Sequence, residues 1–328
     1  MSDSPEERFT EEKLRELAQR VMERFYIPDI ELLNTFAAAS GLLAPPFKEA
    51  AEVFQNNLVS ISRAASIPYA MVAIAISRRQ FDSFHVAERI RALKNVVPNA
   101  DLPPALAQKA YKIASAKIQQ FHESEEGKIN FRDAILTDLD VYQRDEFLAA
   151  AHELLSNTLV MTWGTFEAFI TDVLRLLLNS HAPTATSILT HESTKKHFSN
   201  RLTIDVLERF EFNIARSLGT LLLSDNKLDS LTVMKDVLSV IFPNHEGLRS
   251  KLSDPKLWLL WQRRHLFVHK RGLVDMTYLS KTSDSIPLGS RLQITGIDVQ
   301  NNFELIRDTA IEFIDAIKSW QTNVKLEA

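Results

Sequence analysis

The sequence predicts an all-α protein. Glycine is scarce, at 8 of 328 residues, and Ala, Leu, Glu, Lys and Arg, which enter helices at low entropic cost, are abundant. Apolar residues recur at helical spacing along most of the chain, and only residues 272–299 carry strand-like content. This length supports two units, each large enough to bury a core of its own.

The first predicted helix opens near Thr10, repeats Leu14, Leu17, Val21 and Phe25 on one face, and ends at Pro28. A second covers 47–65, with Ala51, Phe54, Leu58 and Ile61 in phase, and a third starts at Pro68 and continues to 93. Pro98, Pro103 and Pro104 punctuate before a fourth over 105–121. Residues 123–130, reading ESEEGKIN, are charged, contain a glycine and lack periodicity, so they are expected to link an N-terminal helical domain, 1–125, to a second domain, 131–328. Beyond them a long helix is expected over 144–179, then helices over 204–222, 230–242 and 254–271, and a last one over 300–321.

Composition excludes several kinds of chemistry. Without cysteine there is no disulfide framework, no thiolate nucleophile and no Cys-ligated zinc, which suits a reducing cytoplasm. The first dozen residues are acidic and polar, so export is not expected, and the most apolar stretch, 67–76, is far shorter than the roughly 20 residues that span a bilayer. A formal net charge of -4 means that any nucleic-acid contact must come from a local basic patch. No Gly-rich phosphate loop is present, and neither His152-Glu153 nor the pair His191 and His197 has zinc-ligand spacing; no cofactor and no metal are expected.

The segment that carries chemistry begins at Asp254-Pro255, a capping acceptor followed by a ring pre-set for the first helical turn, and reads KLWLLWQRRHLFVHKRG. At about 100° per residue, Leu257, Leu260, Trp261, Arg264 and Val268 share an arc about 100° wide, so Arg264 falls on the expected core stripe. A guanidinium there needs a carboxylate or a phosphate. The long helix offers Glu167, at the edge of the stripe formed by Trp163, Phe166, Ile170, Val173, Leu174 and Leu177, and such a pair would fix the register of two helices even without catalysis. His265 and His269 stand one turn apart beside Arg264, Lys270 and Arg271 follow, and Gly272 is expected to close the helix in a left-handed cap. Cations also favour a helix C-terminus for structural reasons alone. An imidazole beside a guanidinium that grips phosphate is nevertheless the minimum equipment for RNA transphosphorylation without metal.

Arg264, four residues and His269, with a polar residue directly after the Arg, resemble the R-x4-6-H motif of ribonucleases of the HEPN family (higher eukaryotes and prokaryotes nucleotide-binding). VMTWGTFEAFITD, residues 160–172, is similar to the first long helix of bacterial members, and HKRGLVDMTYLSKT with Gly289 resembles a subgroup with a short irregular or β-hairpin insertion before the last helix. The resemblance covers residues 143–320, roughly half the chain, and leaves 1–125 unassigned. It implies a C-terminal helical bundle that forms a homodimer, two motifs facing each other across an RNA cleft. Arg264 would hold the scissile phosphate and His269 would act as general base or acid. His265 and Glu167 would support them, with Arg263, Lys270 and Arg271 on the RNA.

The implied activity is metal-independent endoribonuclease cleavage to 2′,3′-cyclic phosphate and 5′-hydroxyl ends, in a toxin or antiviral-defence effector with a regulator or antitoxin protein as a further partner. The alternative implied by the same family is a non-catalytic dimeric adaptor. Where some members carry a Tyr for regulation by nucleotide addition, two residues after the motif His, this chain has Arg271, which puts that control in doubt. A third reading takes the turn at Ser66 and Ile67 as helix-turn-helix, with Arg78 and Arg79 offered to phosphates, although simple helical packing accounts for that pattern as well.

Overall fold

The computed structural model describes residues 11–29, 34–41, 43–93, 102–142, 144–198, 203–212, 214, 216–223 and 228–327, and these are mostly α-helical with no β-strand. The expected cap at Thr10 and the break at Pro98 lie outside the described residues. Among those described, no single helix is long and apolar enough to cross a membrane. The chain divides into two compact units, neither of them continuous in sequence.

The first unit takes residues 1–27, 65–153 and 295–297. It contains α1 (Glu11–Met22), α4 (Ile67–Leu93), α5 (Pro104–Glu123) and α6 (Glu125–Val141), with α2 (Asn34–Ser40) and α3 (Pro45–Ala65) intervening in sequence, and it also takes the start of α7 (Asp145–Ser180). α1 stops at Met22, before Pro28. Leu17, Val21 and Phe25 close on Ile76, Ile135, Leu136 and Leu139 to form its core. Arg24 is fastened to Asp140 at 2.6 Å, and the carboxylate of the buried Glu88 is held by Lys117 at 2.6 Å and by Arg91, which joins α4 to α5.

The expected linker is instead a tight corner between α5 and α6. Only Ser124 leaves helical geometry, and its Oγ accepts the Gly127 N–H at 3.0 Å. Glu125 and Glu126 sit in the first turn of α6, where carboxylates complement the positive end of the helix dipole. The charge that reads as a solvated linker is therefore helix-start chemistry. Gly127 is required there, because any Cβ would overlap the Phe121 carbonyl.

The second unit takes residues 28–64, 154–294 and 298–328. It holds α2 (Asn34–Ser40), nearly all of α3 (Pro45–Ala65), most of α7, then α8 (Ala182–Thr190), α9 (Glu192–Phe198), α10 (Ile204–Arg209) and α11 (Leu218–Leu222). α12 (Leu231–Ile241), α13 (Glu246–Leu252), α14 (Pro255–Lys270), α15 (Met276–Thr282) and nearly all of α16 (Gly296–Glu327) complete it. Residues 28–64 thus belong here and not with the segments around them, contrary to a boundary at 125–131. The reason is aromatic: Phe54 stacks on Phe169 of α7 at 4.6 Å, and Phe36 meets both rings edge-on.

The six stripe residues of α7 from Trp163 to Leu177 are completely buried, and each full burial of a large apolar side chain contributes about 1.5–3 kcal/mol. Phe303, Ile306, Phe313 and Ile317 of α16 are buried alongside. The helix expected over 204–222 is broken in two. Glu211 and Phe212 take positive φ, and α11 is anchored by Asn179, whose Oδ1 accepts the Gly219 N–H at 2.8 Å.

Candidate active site

Asp254 caps α14 as expected, its Oδ1 accepting the Lys256 N–H at 2.8 Å with Pro255 in the first turn. At the other end both Arg271 (φ 51) and Gly272 (φ 80) are left-handed, so the cap expected of Gly272 alone starts one residue earlier. The Arg271 N–H reaches the Phe267 carbonyl at 3.1 Å and the Gly272 N–H that of Leu266 at 3.3 Å. Side chains are excluded at Gly272 by the Phe267 ring.

α14 buries more than one stripe. Leu257 and Leu260 are in the core as expected, but Val268 is 47% exposed, while Gln262 and Leu266, on the other side of the helix, are each 3% exposed. α15 packs on that other side, with the Trp258 Nε1–H donating to the Lys281 carbonyl at 3.0 Å. The strand-like content of 272–299 resolves into this helix and one antiparallel bridge, Leu273 to Arg291.

Arg264 and Glu167 are brought together. Arg264 Nη2 lies 3.9 Å from Glu167 Oε2, both side chains about four-fifths buried, and the same oxygen accepts the Trp163 indole N–H at 3.2 Å. Burial raises the Glu167 carboxyl above the usual carboxylate range, against the opposing pull of Arg264 and Trp163. The pair is long for a salt bridge, and Arg264 Nε is buried without a partner among the described residues. Part of the guanidinium's donor capacity is thus uncommitted.

Arg263 is placed elsewhere. Its guanidinium holds Asp298 at 3.0 Å and Asp284 at 3.7 Å, and Tyr278 donates to Asp284 at 2.9 Å. Burial works to lower the Arg263 pKa, but the bonds to Tyr278 and Asp298 outweigh it and raise it. On α14 it stands about 160° from His265. Arg263, expected on the RNA, is thus paired with Asp298 of α16 and with Asp284, which follows α15.

His265 and His269 do converge, with ring centroids 4.4 Å apart and both side chains exposed. The imidazole of His265 is pushed below its ordinary value by desolvation, then by His269, Lys281 and Arg264, with Asp275 opposing. Both rings line a cleft of about 230 Å³ between α14 and α15, which Gln262, Lys270, Asp275 and Lys281 also border. Trp258 and Trp261, 5.0 Å apart, lead along the helix to His265. Arg264 and His269, by contrast, stand about 140° apart on α14, so one copy of the chain does not aim both at one point.

Sequence reasoning missed Gln262, Asp275 and Lys281. Gln262 was legible as one turn before Leu266 on the side opposite the stripe, but the other two come from a segment whose helix is too short to show periodicity. Lys270 and Arg271 are exposed at the end of α14. His191 caps α9, its Nδ1 accepting the Ser193 N–H at 3.3 Å. Among the described residues no three His, Asp or Glu side chains are grouped to hold a metal ion. No family model, no curated protein and no solved structure matches this chain.

Proposed function

We propose that the protein is an endoribonuclease of the HEPN type that cleaves RNA by metal-independent transphosphorylation, as a toxin or antiviral-defence effector in the cytoplasm. The contact between His265 and His269 at the solvent-open end of α14, beside Lys270 and Lys281, is the observation that carries this reading. Neutral His265 takes the proton from the ribose 2′-hydroxyl, O2′ bonds to phosphorus, the P–O5′ bond breaks, and the imidazolium of His269 gives its proton to O5′. The products are a 2′,3′-cyclic phosphate and a 5′-hydroxyl. Arg264 stabilises the charge on the phosphoryl oxygens. Because it lies about 140° around the helix from His269, a homodimer with facing motifs supplies the guanidinium of one α14 to the imidazoles of the other. The non-catalytic adaptor reading is favoured by one observation, the junction of Arg264, Glu167 and Trp163, which would register α7 on α14 without any chemistry.

The pH dependence of RNA cleavage tests the assignment. His265 must be neutral to act as base, and its folded pKa lies below the ordinary imidazole value of about 6.5. As pH falls, activity is therefore kept until the pH drops through that lowered value. An acid limb with its midpoint below pH ~6.5 that disappears in His265→Gln is the expected result. An acid limb unchanged in His265→Gln contradicts the role of His265 as base.

A further inference from the structure

The cleft between α14 and α15 contains a polar group with no task in the fold. Gln262 is 3% exposed and borders the cleft, and its Nε2 donor is buried with no hydrogen-bond partner among the described residues. Leaving such a donor unpaired costs about 1–3 kcal/mol, so a side chain kept in this state is expected to meet an acceptor brought by a ligand. The cleft has about 230 Å³, below the roughly 300–1,000 Å³ of sites for drug-sized molecules, which limits the occupant to one small planar group. His265 and His269 form one wall, and Lys270 and Lys281 stand ready for a phosphate attached to that group.

We infer that this cleft is a subsite for the pyrimidine base of the nucleotide that contributes the attacking 2′-hydroxyl, with Gln262 Nε2 donating to the O4 keto oxygen of uracil. The inference rests on the ribonuclease reading. Uracil presents a keto oxygen where cytosine presents an amino group, so a single buried donor separates the two bases. A site built to hydrogen-bond its ligand rejects an analogue that leaves the buried group unpaired.

The test is binding of uridine 3′-monophosphate and cytidine 3′-monophosphate to the full chain, followed by calorimetry and by the His265 and His269 ring signals in NMR. Wild-type protein is expected to prefer the uridine nucleotide by about tenfold, the scale of one net hydrogen bond. Gln262→Leu should abolish the preference, and Gln262→Glu, whose carboxylate accepts from an exocyclic amine, should reverse it. Melting temperatures of both variants establish that they are folded, and Leu relieves an unpaired donor. Wild-type protein that does not distinguish the nucleotides, or a folded Gln262→Leu that keeps the preference, overturns the inference. Cleavage of RNA is scored separately. A chain that discriminates the nucleotides without cutting RNA keeps the subsite and loses the nuclease reading, whereas one that cuts RNA with no effect of Gln262 on binding loses the subsite alone.

Discussion

His269→Ala is expected to lower RNA cleavage by about 10²–10⁴-fold, the usual contribution of a positioned acid or base, while leaving the protein folded. The ring is exposed at the last turn of α14 and touches His265 and not the core, so stability should change by no more than about 0.5 kcal/mol. His265→Ala should have a loss of similar size. The double variant should be little worse than either single one, because a base and an acid that act as a unit in one reaction are not additive. Single-turnover rates on a defined RNA, with circular dichroism of each variant, measure all three. Wild-type rates for a folded His269→Ala would remove that residue from the mechanism.

The second large effect concerns Arg264→Met combined with Glu167→Leu. Both side chains are about four-fifths buried, the ion pair is long at 3.9 Å, and burial already disfavours the Glu167 carboxylate. Replacing such a pair by apolar residues is often neutral or stabilising by 1–4 kcal/mol, so the double variant should melt at or above the wild-type temperature. Its cleavage rate should nevertheless fall by about 10²–10³, the loss for one electrostatic donor to a transition-state oxyanion. Arg264→Lys should recover only part of this, since a point charge cannot reproduce the planar fork. Undiminished cleavage by a stable, dimeric double variant would leave Arg264 with the structural role alone.

Much of this arrangement was readable from residue spacing. The stripe of α7 is periodic over four turns, and a pattern of that length fixes which residues are buried and leaves Glu167 at the edge. The Asp254-Pro255 start of α14 was legible because capping is local chemistry, and the meeting of Arg264 with Glu167 followed from two apolar faces that had to pack. What was not legible depends on tertiary partners. Gln262 and Leu266 are buried on the side where α15 packs, a seven-residue helix without a period of its own, while Val268, on the opposite side, is exposed. Arg263 reads as one more cation of a basic cluster, but it is held by Asp284, in the segment after α15, and by Asp298 of α16.

The division of the chain was hidden for a similar reason. Residues 123–130 have the composition of a linker, but Ser124 and the two glutamates after it serve a helix start as well as they serve solvent. Residues 28–64 show which unit they join only when Phe36 and Phe54 are seen against Phe169. Arg78 and Arg79, read as phosphate contacts in a helix-turn-helix, are engaged by Asp82 at 3.2 Å and Asp138 at 2.6 Å.

Metal-independent transphosphorylation is decided by incubating the purified full chain with total RNA in excess EDTA and identifying the ends of any fragments. Cleavage that the chelator does not slow is expected, with 2′,3′-cyclic phosphate and 5′-hydroxyl ends, because O2′ is the nucleophile and imidazoles move the protons. Fragments with 5′-phosphate ends, or activity that EDTA removes and a divalent cation restores, would contradict it.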